Sequence, residues 1–335
     1  MTRSRFAVRS LVAGVCTVLL INACTDSGSV TAPSSDVTPP PSAAHVPELN
    51  NARHVFHTKS FYAKSNAAKP SGNTGILYHG GKVIASPSIT KVVAIYWATG
   101  PIYSGQAAGV GAGSADPTLV GSFLRSLGGS PYFNINTTYY DGAGARVLNQ
   151  VGYTSYWSTG ADAAAPSASP TDADMVNLIQ RGITLNKIAY DPNTVYAIFT
   201  GSGINLGGGF GSQYCAYHTH GTTTSGVVLY AAMPRNQDYP SGCTSQLASP
   251  NADVAANSEV NTLAHEIEET TTDAMANAWY DRRGYENADK CAWTWGTTLT
   301  APGGGTYNMR LADGKYYLVQ RNWVNSGSGG CAIAF

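Results

Sequence analysis

Charge is scarce in this chain. Lys, Arg, Asp and Glu make up only 12% of its 335 residues, and 20 basic side chains cancel 20 acidic ones. With no basic surplus there is nothing to neutralise a phosphate backbone, which excludes an electrostatic nucleic-acid binder. Long apolar runs are also missing: the stretch from Leu11 to Ile21 falls short of the roughly 20 residues that a membrane-spanning helix needs. There is no C-x2-C pair, so a four-cysteine zinc knot has no support, and no G-x-S-x-G for a serine nucleophile elbow. The run Gly207-Gly208-Gly209-Phe210-Gly211 lacks the Lys-Ser/Thr ending of a phosphate loop. What is present is 43% hydrophobic residues, 37 Gly and 20 Tyr. That composition describes a globular, turn-rich, exported protein with polar but uncharged surfaces, not a disordered tail.

The N-terminus agrees with export. Arg3, Arg5 and Arg9 precede the short apolar run, which ends at Asn22-Ala23-Cys24. This reads as a secretory signal over residues 1–23. A small residue directly before Cys24 resembles a lipobox, in which Cys24 is lipidated and anchors the mature chain to a membrane; ordinary cleavage beside an incidental cysteine is the alternative. Residues 24–74 are rich in Ser, Thr, Pro and Ala and read as a disordered, semi-rigid linker, with one domain over 75–335. If Cys16 leaves with the signal and Cys24 carries lipid, Cys215, Cys243, Cys291 and Cys331 remain. In an oxidising compartment these form two disulfides, and sequence proximity favours Cys215 with Cys243 and Cys291 with Cys331, although four cysteines allow three pairings.

Within the domain, strands and helices alternate. Residues 91–98, 194–200 and 227–232 are β-branched and aromatic runs of strand length. Residues 134–140 and 144–153 predict a hairpin around Asp141-Gly142. Helices are expected over 116–127, over 171–183 with Thr171 and Asp174 at its start, and over 258–272 with Val260, Leu263, Ala264 and Ile267 as its apolar stripe. The fold class is therefore α/β, a layered domain with a twisted mixed sheet and a helix carrying the site.

That last helix holds Leu263-Ala264-His265-Glu266-Ile267-Glu268-Glu269. His265 and Glu269 are four apart, on one helical face, where both reach a single ion. Glu266 then stands where H-E-x-x-H enzymes place the base that deprotonates metal-bound water. A third ligand is expected from Gly284-Tyr285-Glu286-Asn287-Ala288-Asp289: Glu286, with Asp289 as a further ligand or its support, and Asp273 as the competitor. The arrangement resembles the gluzincin pattern, which implies a zincin-like layered fold. Glu269 replaces that pattern's second histidine, so the ligand set is harder than zinc usually receives, and calcium or manganese enter beside zinc as candidate ions. A histidine among glutamates also suits a solvated, hydrogen-bonded helix face. Against that stands the density of acid: Glu259, Glu266, Glu268, Glu269, Asp273, Asp281, Glu286 and Asp289 are offset locally only by Arg282 and Arg283. Upstream, Cys215-Ala216-Tyr217-His218 offers His218 as an oxyanion stabiliser or ligand, or else as part of a Tyr and His pair capping a disulfide-pinned loop.

Several of these segments resemble the phosphate-induced protein 1 (EXORDIUM) family. Tyr196 to Thr200 with Gly209-Phe210 and Cys215-Ala216-Tyr217-His218 is similar to its strand, Gly-Phe and Cys-Gly-x-His block. Asn251-Ala252-Asp253-Val254, followed by the His265 helix and Thr272-Asp273, is similar to its Asn-Gly-Asp-Val and Thr-Asn-Pro stretch, and Gly80-Gly81-Lys82-Val83 with the Val92 to Trp97 strand resembles its opening. The resemblance implies a secreted or cell-wall protein, linked in plants to growth. Plant members lack the His and Glu pair of this helix, whereas His265 to Asp289 looks like bacterial secreted proteins with H-E-x-x-E, Thr-Asp and Gly-Glu-x-x-Asp in this order. The expectation is a lipid-anchored or secreted metal-dependent hydrolase, peptidase-like, acting on a peptide or cell-wall substrate. Its alternative is a noncatalytic cell-surface protein with a structural cation.

Overall fold

Two runs that are apolar on both faces, Thr90–Trp97 and Thr194–Thr200, can be satisfied only at the centre of a sheet covered on both sides. That is where they lie in the computed structural model, which describes residues 53–67 and 75–335. The signal segment, Cys16, Cys24 and residues 24–52 and 68–74 of the expected linker fall outside the described residues.

The main elements are β1 (His54–His57), α1 (Lys59–Ala67), β2 (Thr90–Trp97), β3 (Gly109–Ala112), α2 (Leu119–Leu127), β4 (Val151–Ser158), α3 (Asp172–Thr184), β5 (Thr194–Thr200), β6 (Tyr214–Thr223), β7 (Gly226–Met233) and α4 (Val254–Thr272). The seven strands form one mixed sheet in the order β1-β6-β7-β5-β2-β4-β3. The inner four are parallel, with Ala94 opposite Ala197 and Ala197 opposite Ala231, while β3 at one edge and β6 and β1 at the other run antiparallel to their neighbours. Alternation divides the side chains. Val92, Ala94 and Tyr96 face α2 and α4, and Val93, Ile95 and Trp97 face α3. The architecture is thus mixed α/β with helices on both faces, as the alternating pattern predicts.

Most element bounds agree with the sequence within a few residues, and the differences have local causes. Helix α3 starts at the expected capping box, in which the Thr171 hydroxyl accepts from Asp174 N and the Asp174 carboxylate accepts from Thr171 N. Helix α4 begins a turn earlier than residue 258, because the Asp253 carboxylate accepts from Ala256 N at 2.9 Å and caps it there. The hairpin over 134–153 is a correction. Phe133–Thr138 is a 3-10 helix in which the hydroxyls of Thr137 and Thr138 donate back to Asn134 and Ile135 carbonyls. Pairing around the Asp141-Gly142 turn shrinks to the Tyr140 to Arg146 bridge, where Asp141 N donates to Ala145 O and Val147 N to Tyr139 O, and β4 pairs instead with β2 and β3. Sequence pattern alone also passes over three strands of the sheet, among them the short Gly-Val-Gly-Ala run of β3. Strand β6 carries Thr, His and Gly that mask its alternation, and β1 sits within the 24–74 stretch that composition assigns to the linker.

Beyond α4 the chain forms two-stranded ribbons whose Met309, Leu311, Tyr317 and Val319 join the core on the α2 and α4 face. Helix α4 is consequently enclosed, and every residue from Glu259 to Thr272 is buried. Cys215 bonds to Cys243 and Cys291 to Cys331, the pairing that proximity favoured. No described helix is long and apolar enough to cross a membrane.

Candidate metal centre

The centre is assembled from three places. Helix α4 supplies His265, Glu266 and Glu269; the loop after it supplies Glu286 and Asp289; the antiparallel edge of the sheet supplies His218 on β6 and His54 on β1. His54 and His218 are direct partners in the β1 and β6 register, so both imidazoles project from the sheet toward α4. On the same face of β1, Phe56 lies with its ring 4.2 Å from that of His265 and stacked at 4.6 Å on Trp293.

Three overlapping groups of ligand-type atoms result, each with its atoms within 4.8 Å of one another: His265, Glu269 and Asp289; His218, Glu266 and Glu269; and His54, His218 and Glu286. Nε2 of His265 is 3.0 Å from Oε1 of Glu269 and 3.6 Å from Oδ1 of Asp289, and Asp289 N donates to that same Glu269 oxygen at 2.9 Å. Nδ1 of His218 is 3.1 Å from Oε2 of Glu266 and 3.6 Å from Oε2 of Glu269. Its Nε2 lies 3.7 Å from Oε2 of Glu286, which also touches Nδ1 of His54.

Whether these residues suit a cation is tested by what they leave unpaired. Nε2 of His218 and of His265, Oε1 of Glu266, Oε2 of Glu269, Oε1 of Glu286 and Oδ1 of Asp289 are all buried without a hydrogen-bond partner. Each such atom ordinarily costs on the order of 1–3 kcal/mol, and six in one place call for a common partner. Electrostatics agree. Burial, reinforced by neighbouring carboxylates, raises Glu266, Glu269, Glu286 and Asp289 well above the carboxylate range. Burial also pushes His54 and His265 down to about 4 and His218 well below its ordinary value, leaving all three imidazoles neutral, the form that ligates metals. Without a cation the carboxylates retain protons; a divalent ion stabilises their ionised form. The residues fit a cation.

The eight acidic residues of this region do not act together. Glu266, Glu269, Glu286 and Asp289 converge. Glu268 points elsewhere and accepts from Asn322 Nδ2 at 2.6 Å. Asp273 accepts from the backbone of Asn277 and Ala278 and closes the turn after α4. Asp281 pairs with Lys290, and Glu259 lies beside Asn236 N, 3.3 Å away. Asp289 therefore completes the group of His265 and Glu269, while Glu286 stands with His54 and His218. His218 belongs to a strand within the cluster rather than to a capping loop. His54 was not legible in the sequence, because no periodic pattern surrounds it and its partner lies more than 160 residues away.

Access is narrow. Among the cluster residues only His54 has an appreciably exposed side chain, at 21%. A surface cavity of about 350 Å³ near Asp172, Val176 and Tyr230 and another of about 280 Å³ near Gln237, Val254 and Ser258 include none of the cluster. In comparisons with known proteins, a family model described as the phosphate-induced protein 1 conserved region matches residues 130–333, more than half of the chain. No curated protein and no solved structure matches.

Proposed function

The chain belongs to the phosphate-induced protein 1 family, and from that premise and the convergence of six unpaired buried polar atoms we propose that it is an extracytoplasmic, metal-dependent hydrolase, peptidase-like in its chemistry. Zinc is the leading ion, with calcium or manganese as its rivals. His265, Glu269 and Asp289 hold it, with Glu286 close by. A divalent ion in this position supplies Lewis acidity and lowers the pKa of water. A helix bearing His265 and Glu266, packed beside the antiparallel edge strands β6 and β1, supports a zincin-like arrangement.

The chain's own part centres on Glu266. Its Oε2 is held by Nδ1 of His218 at 3.1 Å, which leaves Oε1 without a partner inside the cluster. Burial first, then the nearby charge of Glu269 and Asp289, raises this carboxyl and brings its basicity toward that of a working general base. Oε1 accepts a proton from water entering the centre and returns it to the leaving group. Water and substrate enter at the His54 rim, where exposure is concentrated.

One observation favours a second reading. Every cluster residue except His54 is almost wholly enclosed, as suits a noncatalytic cell-surface protein with a structural cation. The two readings separate on metal content and peptide or casein turnover, measured for the wild type and Glu266→Gln. The hydrolase predicts turnover that falls by about 10²-fold or more in the variant while metal is retained. Bound metal with no turnover in either protein leaves the structural reading, and absence of bound metal sinks both.

A further inference from the structure

The helix motif draws attention to His265, but the best-prepared metal ligands lie one strand away. We propose that His54, His218 and Glu286 form a separate divalent-cation site of zinc type at the rim of the cluster, with Glu266 as the positioning residue for His218. It shares no ligand with the group at His265, from which it is reached through His218, whose Nδ1 lies 3.6 Å from Oε2 of Glu269.

Hydrogen-bond placement distinguishes them. Nδ1 of His218 is engaged by Oε2 of Glu266 at 3.1 Å, which leaves Nε2, on the other side of the ring, as the nitrogen open to an ion. That Nε2 is buried, has no hydrogen-bond partner and faces Glu286 at 3.7 Å. A carboxylate behind a histidine is the usual support for a metal-ligating imidazole, since it fixes the ring and raises its basicity. His265 is arranged the other way. Gln320 Nε2 donates to the Ala288 carbonyl at 2.8 Å and faces Nδ1 of His265 at 3.0 Å, so the ring proton falls on Nε2, toward Glu269 and Asp289. Freeing that nitrogen requires the Gln320 amide to turn over, at the cost of its bond to Ala288.

The third ligand is equally well placed. Oε2 of Glu286 touches Nδ1 of His54 and faces His218, while its Oε1 is buried and unpaired. The imidazoles of His54 and His218 sit with ring centres 5.5 Å apart on paired strand positions, so the sheet itself sets their spacing. Two neutral imidazoles and one carboxylate are the three-ligand set of open zinc sites, and they suit zinc better than the single imidazole and two carboxylates around His265. The partly exposed edge of His54 gives this site, rather than the enclosed one, a route to solvent.

The test uses the full chain, stripped with chelator and titrated with Zn²⁺ alone, with bound zinc counted by elemental analysis and affinity read by calorimetry. His54→Ala and Glu286→Gln are each expected to weaken the tightest zinc equivalent at least 10-fold, whereas His265→Ala leaves it in place. Glu266→Gln, which keeps the shape but weakens the hold on His218, is expected to weaken zinc less than His54→Ala does. Unchanged thermal unfolding of the zinc-free variants confirms that the fold persists. If His54→Ala and Glu286→Gln both bind zinc like the wild type, or if the wild type binds none, the proposal is overturned. Loss of zinc in His265→Ala alone overturns it too, while leaving the hydrolase reading intact.

Discussion

Glu259 shows what burial does to a carboxyl with too few partners. It lies on α4 more than a turn from His265, where burial outweighs the donation from Asn236 N and the charge of Arg235 and pushes it up to about 8 from an ordinary 4.5. Below about pH 4.5 the folded and unfolded chains both hold this proton and the group costs nothing. As pH rises from 4.5 to 8 the unfolded chain releases the proton and the folded chain keeps it, so stability falls across that window and is level above it. Glu259→Gln is therefore expected to raise the melting temperature at pH 8 by several degrees more than at pH 4.5, an effect on the order of a few kcal/mol. Equal shifts at both pH values would show that Glu259 is already ionised in the folded state. Residue-level reading of the sequence singled out His265 and Glu269, with Glu266 beside them, because a 3.6-residue period tells which helical neighbours share a face, and Glu286 and Asp289 from the acidic segment beyond the helix. It overcounted the acids, since Glu268 is held by Asn322 and Asp281 by Lys290, partners that no local pattern announces.

Among the elements, β1 matters beyond its four residues. It closes one edge of the sheet, buries Phe56 completely against His265 and Trp293, and delivers His54. A chain begun at Gly75, the boundary that composition favours, loses all of these. Removing the Phe56 ring alone costs about 3–5 kcal/mol, and the loss exposes β6 as a new edge open to pairing. Such a chain is expected to melt at least 10 °C lower than one that retains residues 45–74, and to associate on size-exclusion chromatography. Equal melting temperatures would mean that β1 is dispensable. The strands at the sheet's centre were legible because being covered on both faces demands continuous apolar runs; β1 and β6 were not, because β1 is short with a histidine at each end and β6 interrupts its apolar residues with histidine, threonine and glycine.

For the molecule as a whole, two disulfides and the absence, among the described residues, of a membrane-crossing helix are compatible with life outside the cytoplasm. Anchoring through Cys24 extends the proposal to location. If the cysteine is lipidated, the wild type partitions with membranes and Cys24→Ser is released into the soluble exported fraction; a wild type already soluble after export overturns the anchor. Neither outcome bears on the metal centre, whose ligand groups do not include Cys24.

The sequence by itself determined the local matters: the helices and the capping box of α3, the central strands, the disulfide pairing that proximity favours, the family, and a helix face bearing His265 and Glu269. Each depends on residues near one another in the chain, where periodicity and spacing carry the information. Only the tertiary structure decided which acids converge, that Asp289 joins His265 while Glu286 joins His218, and that His54 takes part at all. Those outcomes depend on an antiparallel edge pairing between β1 and β6 and on a loop folded back over α4, contacts whose energy lies in packing between distant segments and leaves no periodic trace in either.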